Sequence, residues 1–145
     1  LYVRDEGSAF DAPIEVVWNY LMDSGGRHAA AHQASARFRA TKEISKNSSE
    51  ATGDRMIDGR WSKFVARSTD FAPLAVVNEE LEGDLAGSKF VLVYTPQRQR
   101  TRVAMYGDFQ SETIPRVRLE RVVLDLFATS YNEDVPGLAA FQRGP

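Results

Sequence analysis

In Phe10-Asp11-Ala12-Pro13-Ile14-Glu15-Val16-Val17-Trp18-Asn19-Tyr20-Leu21-Met22-Asp23 the chain passes from strand to helix. Asp11-Ala12-Pro13 ends a first strand, residues 1–10, and Pro13 stands where a helix has no use for its missing N–H. Behind it Ile14, Val17, Trp18 and Leu21 recur at i, i+3, i+4 and i+7, which makes one apolar helix face. That face is expected to pack on the end of a sheet. Asp23-Ser24-Gly25-Gly26 breaks the helix, and the alanine-rich residues 27–34 read as a second short one.

From about Arg37, segments of strand length alternate with turn signals. Residues 38–46 end at Asn47-Ser48-Ser49, and residues 51–57 end at Asp58-Gly59, a strong hairpin dipeptide. Residues 61–70 end at Phe71-Ala72-Pro73, 74–81 at Gly83-Asp84, and 88–94 at Pro96-Gln97. Residues 101–109 close the series. With the first strand this makes seven, and such short connections make the run antiparallel, because a parallel pair needs a long crossover. Phe90, Leu92 and Tyr94 share one strand face, and Val103, Met105 and Phe109 share another.

Pro115 opens a second helical pattern. Leu119, Val123, Leu126, Phe127 and Ser130 form a stripe with Val122 beside it. Arg116–Glu120 and Arg121–Asp125 are i, i+4 charge pairs on the other side. Pro136-Gly137 predicts a kink or an end near Glu133. No repeat or linker-like stretch divides the chain, so residues 1–145 read as one domain.

Strand, two helices, six antiparallel strands and a long helix form an order that resembles the START-like helix-grip superfamily (SRPBCC), in particular its polyketide cyclase/dehydrase-like branch. Three places carry the likeness. Phe10 to Asp23 resembles the family's alanine-proline, Val-Trp and Leu-x-Asp signature. Glu80-Leu81-Glu82-Gly83-Asp84-Leu85-Ala86-Gly87 is similar to its Glu-Gly-x-Leu-x-Gly hairpin, and Thr101-Arg102-Val103 resembles its Thr-x-Val strand opening. The resemblance implies an α+β helix-grip fold, in which a seven-stranded curved antiparallel sheet wraps a long C-terminal helix, with two short helices after strand 1. It also implies a cavity between sheet and helix for a lipid, polyketide or similar apolar molecule. The matching motifs are structural and carry over no catalytic residue.

Composition narrows the chemistry. With 145 residues, the chain can bury roughly 68–70% of its unfolded surface without staples. It has no cysteine, which excludes disulfides, thiol catalysis and thiolate metal sites. Eighteen basic and 20 acidic residues are well mixed, giving a net charge of −2 and no footprint for nucleic acid. No apolar run approaches the ~20 residues of a membrane span, and no secretory leader is read, so a cytoplasmic location is expected. Asn47-Ser48-Ser49 matches a glycosylation sequon and reads as a polar turn.

Several residues are candidates for function. His28 and His32 are four apart, a spacing that puts two imidazoles on one helix face. No third ligand is evident, so no metal and no cofactor are expected, and the pair reads as polar groups at a cavity mouth. Trp61, Arg67, Glu79, Tyr94 and Tyr106 lie on strands and orient a ligand if they point inward, with Phe90, Leu92 and Met105 as apolar lining. Arg67 and Glu79 facing solvent is the plainer reading. Arg98, Arg100 and Arg102 read as a solvated hairpin tip, and Asp108 and Glu112 as acids at a helix start. No serine–histidine–acid set, phosphate loop or dinucleotide fingerprint appears. Binding of a hydrophobic small molecule is the leading expectation. A cyclase or dehydratase-type enzyme and a protein-interaction module are the alternatives, because the fold alone does not decide among them.

Overall fold

The computed structural model describes residues 1–23 and 25–144, so Ser24 of the predicted helix break lies outside the described residues. β1 (Tyr2–Phe10) leads into α1 (Ile14–Leu21) and α2 (Arg27–Ala31). Six strands follow: β2 (Ala36–Ser45), β3 (Ser48–Ile57), β4 (Arg60–Phe71), β5 (Ala75–Glu82), β6 (Lys89–Gln97) and β7 (Arg100–Asp108). α3 (Arg116–Gln142) comes last. They form one seven-stranded sheet in the order β1-β7-β6-β5-β4-β3-β2, and every neighbouring pair is antiparallel. The α+β helix-grip architecture is therefore the one expected. β1 and β2 lie at opposite edges, and α1 and α2 bridge the distance between them.

Local chemistry sets the hairpins. Asp58 and Gly59 both take positive φ, 51° and 78°, as a two-residue hairpin turn of this hand requires. At Gly53, a Cβ would stand 2.3 Å from the Arg37 carbonyl oxygen, so only glycine lets β2 approach β3 so closely. The register of β2 on β3 shifts beside it, between Phe38 and Ala40, and such a bulge bends the strand. Phe38 thereby reaches Phe64, with ring centroids 6.0 Å apart.

The core has two centres. Under the first half of α3, Leu119, Val122 and Val123 pack on Val3, Met105 and Phe109. At the other end, Val17 and Tyr20 of α1 pack with Phe10, Tyr94 and Leu138. Leu92 touches both centres. The buried side of α1 is wider than its sequence spacing implied. Trp18 sets its ring edge-on to Tyr94 at 6.2 Å, while Tyr20, outside the predicted face, is only 1% exposed.

Four expectations need correction. α3 does not end near Glu133 but runs on through Pro136 to Gln142. Pro136 removes one N–H from the helix ladder, the one that would reach the Asn132 carbonyl. Both residues are exposed, so water can meet the freed oxygen. Beyond them Leu138 is buried, and Phe141 lies 5.6 Å from the Tyr20 ring and 4.4 Å from the Arg27 guanidinium, which holds the last turns in place. β6 continues through Pro96, which pairs with Thr101. β5 pairs with β6 only as far as Val93, so the absent Pro96 N–H has no neighbour to disappoint. α2 stops at Ala31 rather than Ala34. Asp108 and Glu112 both precede α3, whose first turn holds no acid.

Asp84 fastens the loop before α3 to the sheet. Its carboxylate accepts hydrogen bonds from the Ser62 and Thr113 hydroxyls and pairs with Arg60 at 2.9 Å. Burial alone would raise its pKa, but the donors Ser62, Thr113 and Arg60 outweigh this and hold it down to about 2. A depressed carboxylate contributes stability that is complete above its ordinary pKa of 3.8 and is lost as pH falls through about 2.

Two outcomes are expected. Asp84→Asn should lower stability at neutral pH by roughly 2 kcal/mol and flatten the acid limb of the stability profile below pH ~4, read by urea denaturation across that range. Trp18→Ala should cost about 3 kcal/mol, near the lower end for a large aromatic because the ring is half-buried; a thermal melt equal to the parent's would contradict the packing of α1.

Candidate functional site

Between sheet and α3 lies a cavity of about 290 Å³. It exists because β3 and β4 turn short side chains inward. Ser49, Ala51, Ala66 and Ser68 line it where larger residues would have filled it. The facing wall is bulky. Phe90, Leu92 and Tyr94 come from β6, and Leu126 and Phe127 from α3. Gly107 makes room for this wall, since a Cβ there would stand 2.4 Å from that of Phe90. Phe90 stacks on Phe109 at 5.5 Å and meets Phe127 edge-on at 5.0 Å. A smaller hollow of about 80 Å³ adjoins it, lined by Met105 and Val103 and sharing Leu92 and Tyr94.

The sheet side is more polar than expected. Arg55 of β3 reaches across β4 to pair with Glu80 of β5, both side chains well buried. The Arg55 guanidinium also lies 4.7 Å from the Phe64 ring centroid. Ser68 donates to the Asn78 side-chain oxygen at 2.8 Å. A buried ion pair adds little net stability, yet removing one partner is expensive, so the pair is a fixed polar feature of the wall.

A second polar group closes the end near α2. His28 and His32 present their Nε2 atoms 3.2 Å apart. Asp134 of α3 meets both, its Oδ1 lying 3.3 Å from His28 Nε2 and 2.8 Å from His32 Nε2. Tyr20 donates its hydroxyl to the same oxygen at 2.8 Å. On its other side the His32 Nδ1 lies 2.8 Å from Glu133 Oε1, which also accepts from Ser35 at 2.6 Å. Gly137 permits this close meeting of helices, because a Cβ there would stand 2.4 Å from the Tyr20 hydroxyl and 2.7 Å from Ala31.

The electrostatics follow from the geometry. Burial would raise the pKa of Asp134, but hydrogen bonds and charge from His28 and His32 outweigh it and hold the carboxyl below its usual range. Burial pulls His32 down, while Asp134 and Glu133 pull it up and prevail. Tyr20 is pushed up by burial and then by the Asp134 charge. Tyr94 is pushed up by burial, with Asp134 and Asp70 adding to it.

The chain superposes on the Zhui aromatase/cyclase from Streptomyces with a TM-score of 0.75, over 99% of this chain and 94% of that one, at 15% identity. This is the START-like (SRPBCC) helix-grip fold. A START superfamily protein from Mycobacterium smegmatis matches at a TM-score of 0.74, over 97% of this chain and 98% of that one, at 11% identity. One half of the di-domain ARO/CYC StfQ from the steffimycin biosynthetic pathway matches as well, with a TM-score of 0.72 and 14% identity over 97% of this chain and 50% of that one. Likeness at these identities is likeness of fold. No family model and no curated protein sequence matches the chain.

Within the START-like frame, the candidate residues divide. Phe90, Leu92 and Tyr94 line the main cavity, and Met105 lines the hollow beside it. Trp61, Arg67, Glu79 and Tyr106 do not line it. Phe64, Ala66 and Ser68 are the inward positions of β4, so the period of two turns Trp61 and Arg67 to the outer face. There Arg37 stacks 4.1 Å over Trp61, and Arg67 pairs with Glu50 at 3.0 Å with Glu79 beside it in register. Arg98, Arg100 and Arg102 are exposed at the β6–β7 turn. The expectation that His28 and His32 lack a third partner is overturned by Asp134. One signal pointed to it: Asp134 continues the α3 stripe four residues after Ser130. Tyr20, Arg55 and Glu80 carried no such signal.

Tyr20→Phe keeps the ring and removes one donor from a buried carboxylate. It should lower stability by roughly 2 kcal/mol, the scale of a hydrogen bond to a charged group, measured by urea denaturation. A variant as stable as the parent would mean that Asp134 does not need this donor.

Proposed function

We propose that the chain binds a small amphipathic molecule noncovalently in the cavity, its ring or chain against Phe90, Leu92 and Phe127 and its oxygen substituents toward Ser68, Asn78 and the Arg55–Glu80 pair. The observation that carries this reading is the unfilled space of about 290 Å³ with an aromatic wall on one side and fixed polar groups on the other. That volume is near the lower end of the ~300–1,000 Å³ typical of small-molecule sites, and such sites combine apolar lining with a few placed polar groups. Three proteins of the same fold carry aromatase/cyclase or ARO/CYC in their names, which supports a polyketide-like ligand rather than a plain hydrocarbon. A protein-interaction role would be favoured by a filled cavity, and this one is open.

A second reading is favoured by the group formed by Tyr20, His32, Glu133 and Asp134. His32 and Asp134 line the cavity. An imidazole between two carboxylates is held in its protonated form and can give a proton to a carbonyl or leaving hydroxyl oxygen, a transfer that a cyclisation or dehydration needs. In that case the cavity would also mould the reactive chain.

Titration with anilinonaphthalene sulfonate tests the binding reading. The parent is expected to bind with a dissociation constant on the order of 1 μM, about −8 kcal/mol. Leu92→Trp should weaken this at least tenfold by occupying volume, with a melting temperature close to the parent's. A parent that binds no such probe, or a Trp variant that binds as well as the parent, removes the cavity's support. If the parent binds and the Trp variant does not, native mass spectrometry of the protein purified from its own source would identify the natural occupant.

A further inference from the structure

We propose that His28, His32 and Asp134 form a binding site for one divalent first-row transition-metal ion, with its open coordination positions facing the cavity. The three donor atoms make a nearly equilateral triangle, with edges of 3.2 Å between the two Nε2 atoms and 3.3 and 2.8 Å from these to Asp134 Oδ1. An ion about 2.0–2.1 Å from each of three such donors holds them about 2.8–3.0 Å apart in octahedral geometry and about 3.3–3.4 Å apart in tetrahedral geometry. The side chains already stand at that spacing.

Hydrogen bonding alone does not account for all three edges. If each ring directs an N–H to Asp134, the two Nε2 atoms face each other with a proton on both. If one ring accepts from the other, an edge to Asp134 loses its proton. A single cation above the triangle satisfies every edge at once.

The surroundings are those of a metal site. His32 donates its other nitrogen's N–H to Glu133 Oε1, which fixes the ring and turns the Nε2 lone pair toward the triangle. Ser35 holds Glu133 in turn, and Tyr20 holds Asp134. Two of the ligands are four residues apart at α2 and its C-terminal end. The third arrives on α3, and Gly137 lets that helix come within reach.

Two imidazoles and one carboxylate suit zinc, iron(II), cobalt or manganese better than calcium or magnesium, which prefer all-oxygen shells. Three protein ligands leave a position open, unlike a closed four-ligand structural site. His28, His32 and Asp134 all line the cavity, so water or an oxygen of the occupant would complete the shell. The site does not depend on what fills the rest of the cavity.

The test uses the whole chain, stripped with EDTA and titrated with Co²⁺ and Zn²⁺ by calorimetry and, for cobalt, visible absorption. One equivalent should bind with a dissociation constant on the order of 1 μM or tighter. Cobalt should develop the absorption bands of a nitrogen–oxygen site, and saturation should raise the melting temperature by several degrees. His28→Gln removes a donor from a half-exposed residue and should weaken binding by a factor on the order of 100, with an unchanged circular dichroism spectrum. Glu133→Gln leaves the three ligands in place and should weaken binding about 10- to 100-fold. Absence of saturable one-equivalent binding in the parent overturns the proposal, as does parent-like affinity in both variants.

Discussion

A carboxylate taken out of water has to be met by donors, because an unpaired buried charge is far more expensive than any single packing contact is helpful. Asp134 is buried, and its partners are Tyr20 from α1 and the two histidines at α2. That requirement decides how the three helices sit. The α1 helix must turn Tyr20 toward α3. The α2 segment must present two residues of one face, and α3 must pass close enough to touch both, which its glycine at 137 allows. The same corner forms one end of the cavity, so the interaction that holds the helices together also places two imidazoles and a carboxylate against the space where a ligand would lie.

The cavity survives because its two walls have nothing to gain by collapsing. On the sheet side, short residues alternate with polar ones already committed to each other, Arg55 to Glu80 and Ser68 to Asn78. On the other side, Phe90 stacks on Phe109 and both meet Phe127 edge-on. Closing the gap would mean breaking one set of partners without forming better ones. The hollow is therefore a property of residue size on particular strands rather than of loose packing.

Much of this was readable from the residues. The turn at Asp58-Gly59 and the alternation of Phe90, Leu92 and Tyr94 had local physical causes, and both stand in the structure. Parity was harder. On β4, polar and apolar residues occupy both faces, so nothing local told Arg67 from Ser68; the pairing of Arg67 with Glu50 and the inward turn of Ala66 come from neighbours distant in sequence. Asp134 was hidden by a sound rule applied at the wrong place. Proline does break helices, but Asn132 and Pro136 lie on the exposed side and Leu138 anchors the next turn. With a kink or an end expected near Glu133, the carboxylate on its stripe dropped from view, and with it the partner of the two histidines.

The pairing of β1 with β7 has a consequence for how the molecule is assembled. β2 to β7 are successive hairpins that can form from local contacts alone. β1 cannot join until the last of them exists, and its seam is sewn across almost the whole chain, as where Thr101 donates to the Ala12 carbonyl 89 residues away. Closing so long a loop is slow rather than prohibitive. In the interval β7 carries a bare edge of unpaired N–H and C=O groups, and the apolar faces meant for α1 and α3 stand uncovered. A nascent chain of this topology spends its most vulnerable moment with the meander finished and its first-made strand still unplaced, and in that state a second copy could supply the missing edge.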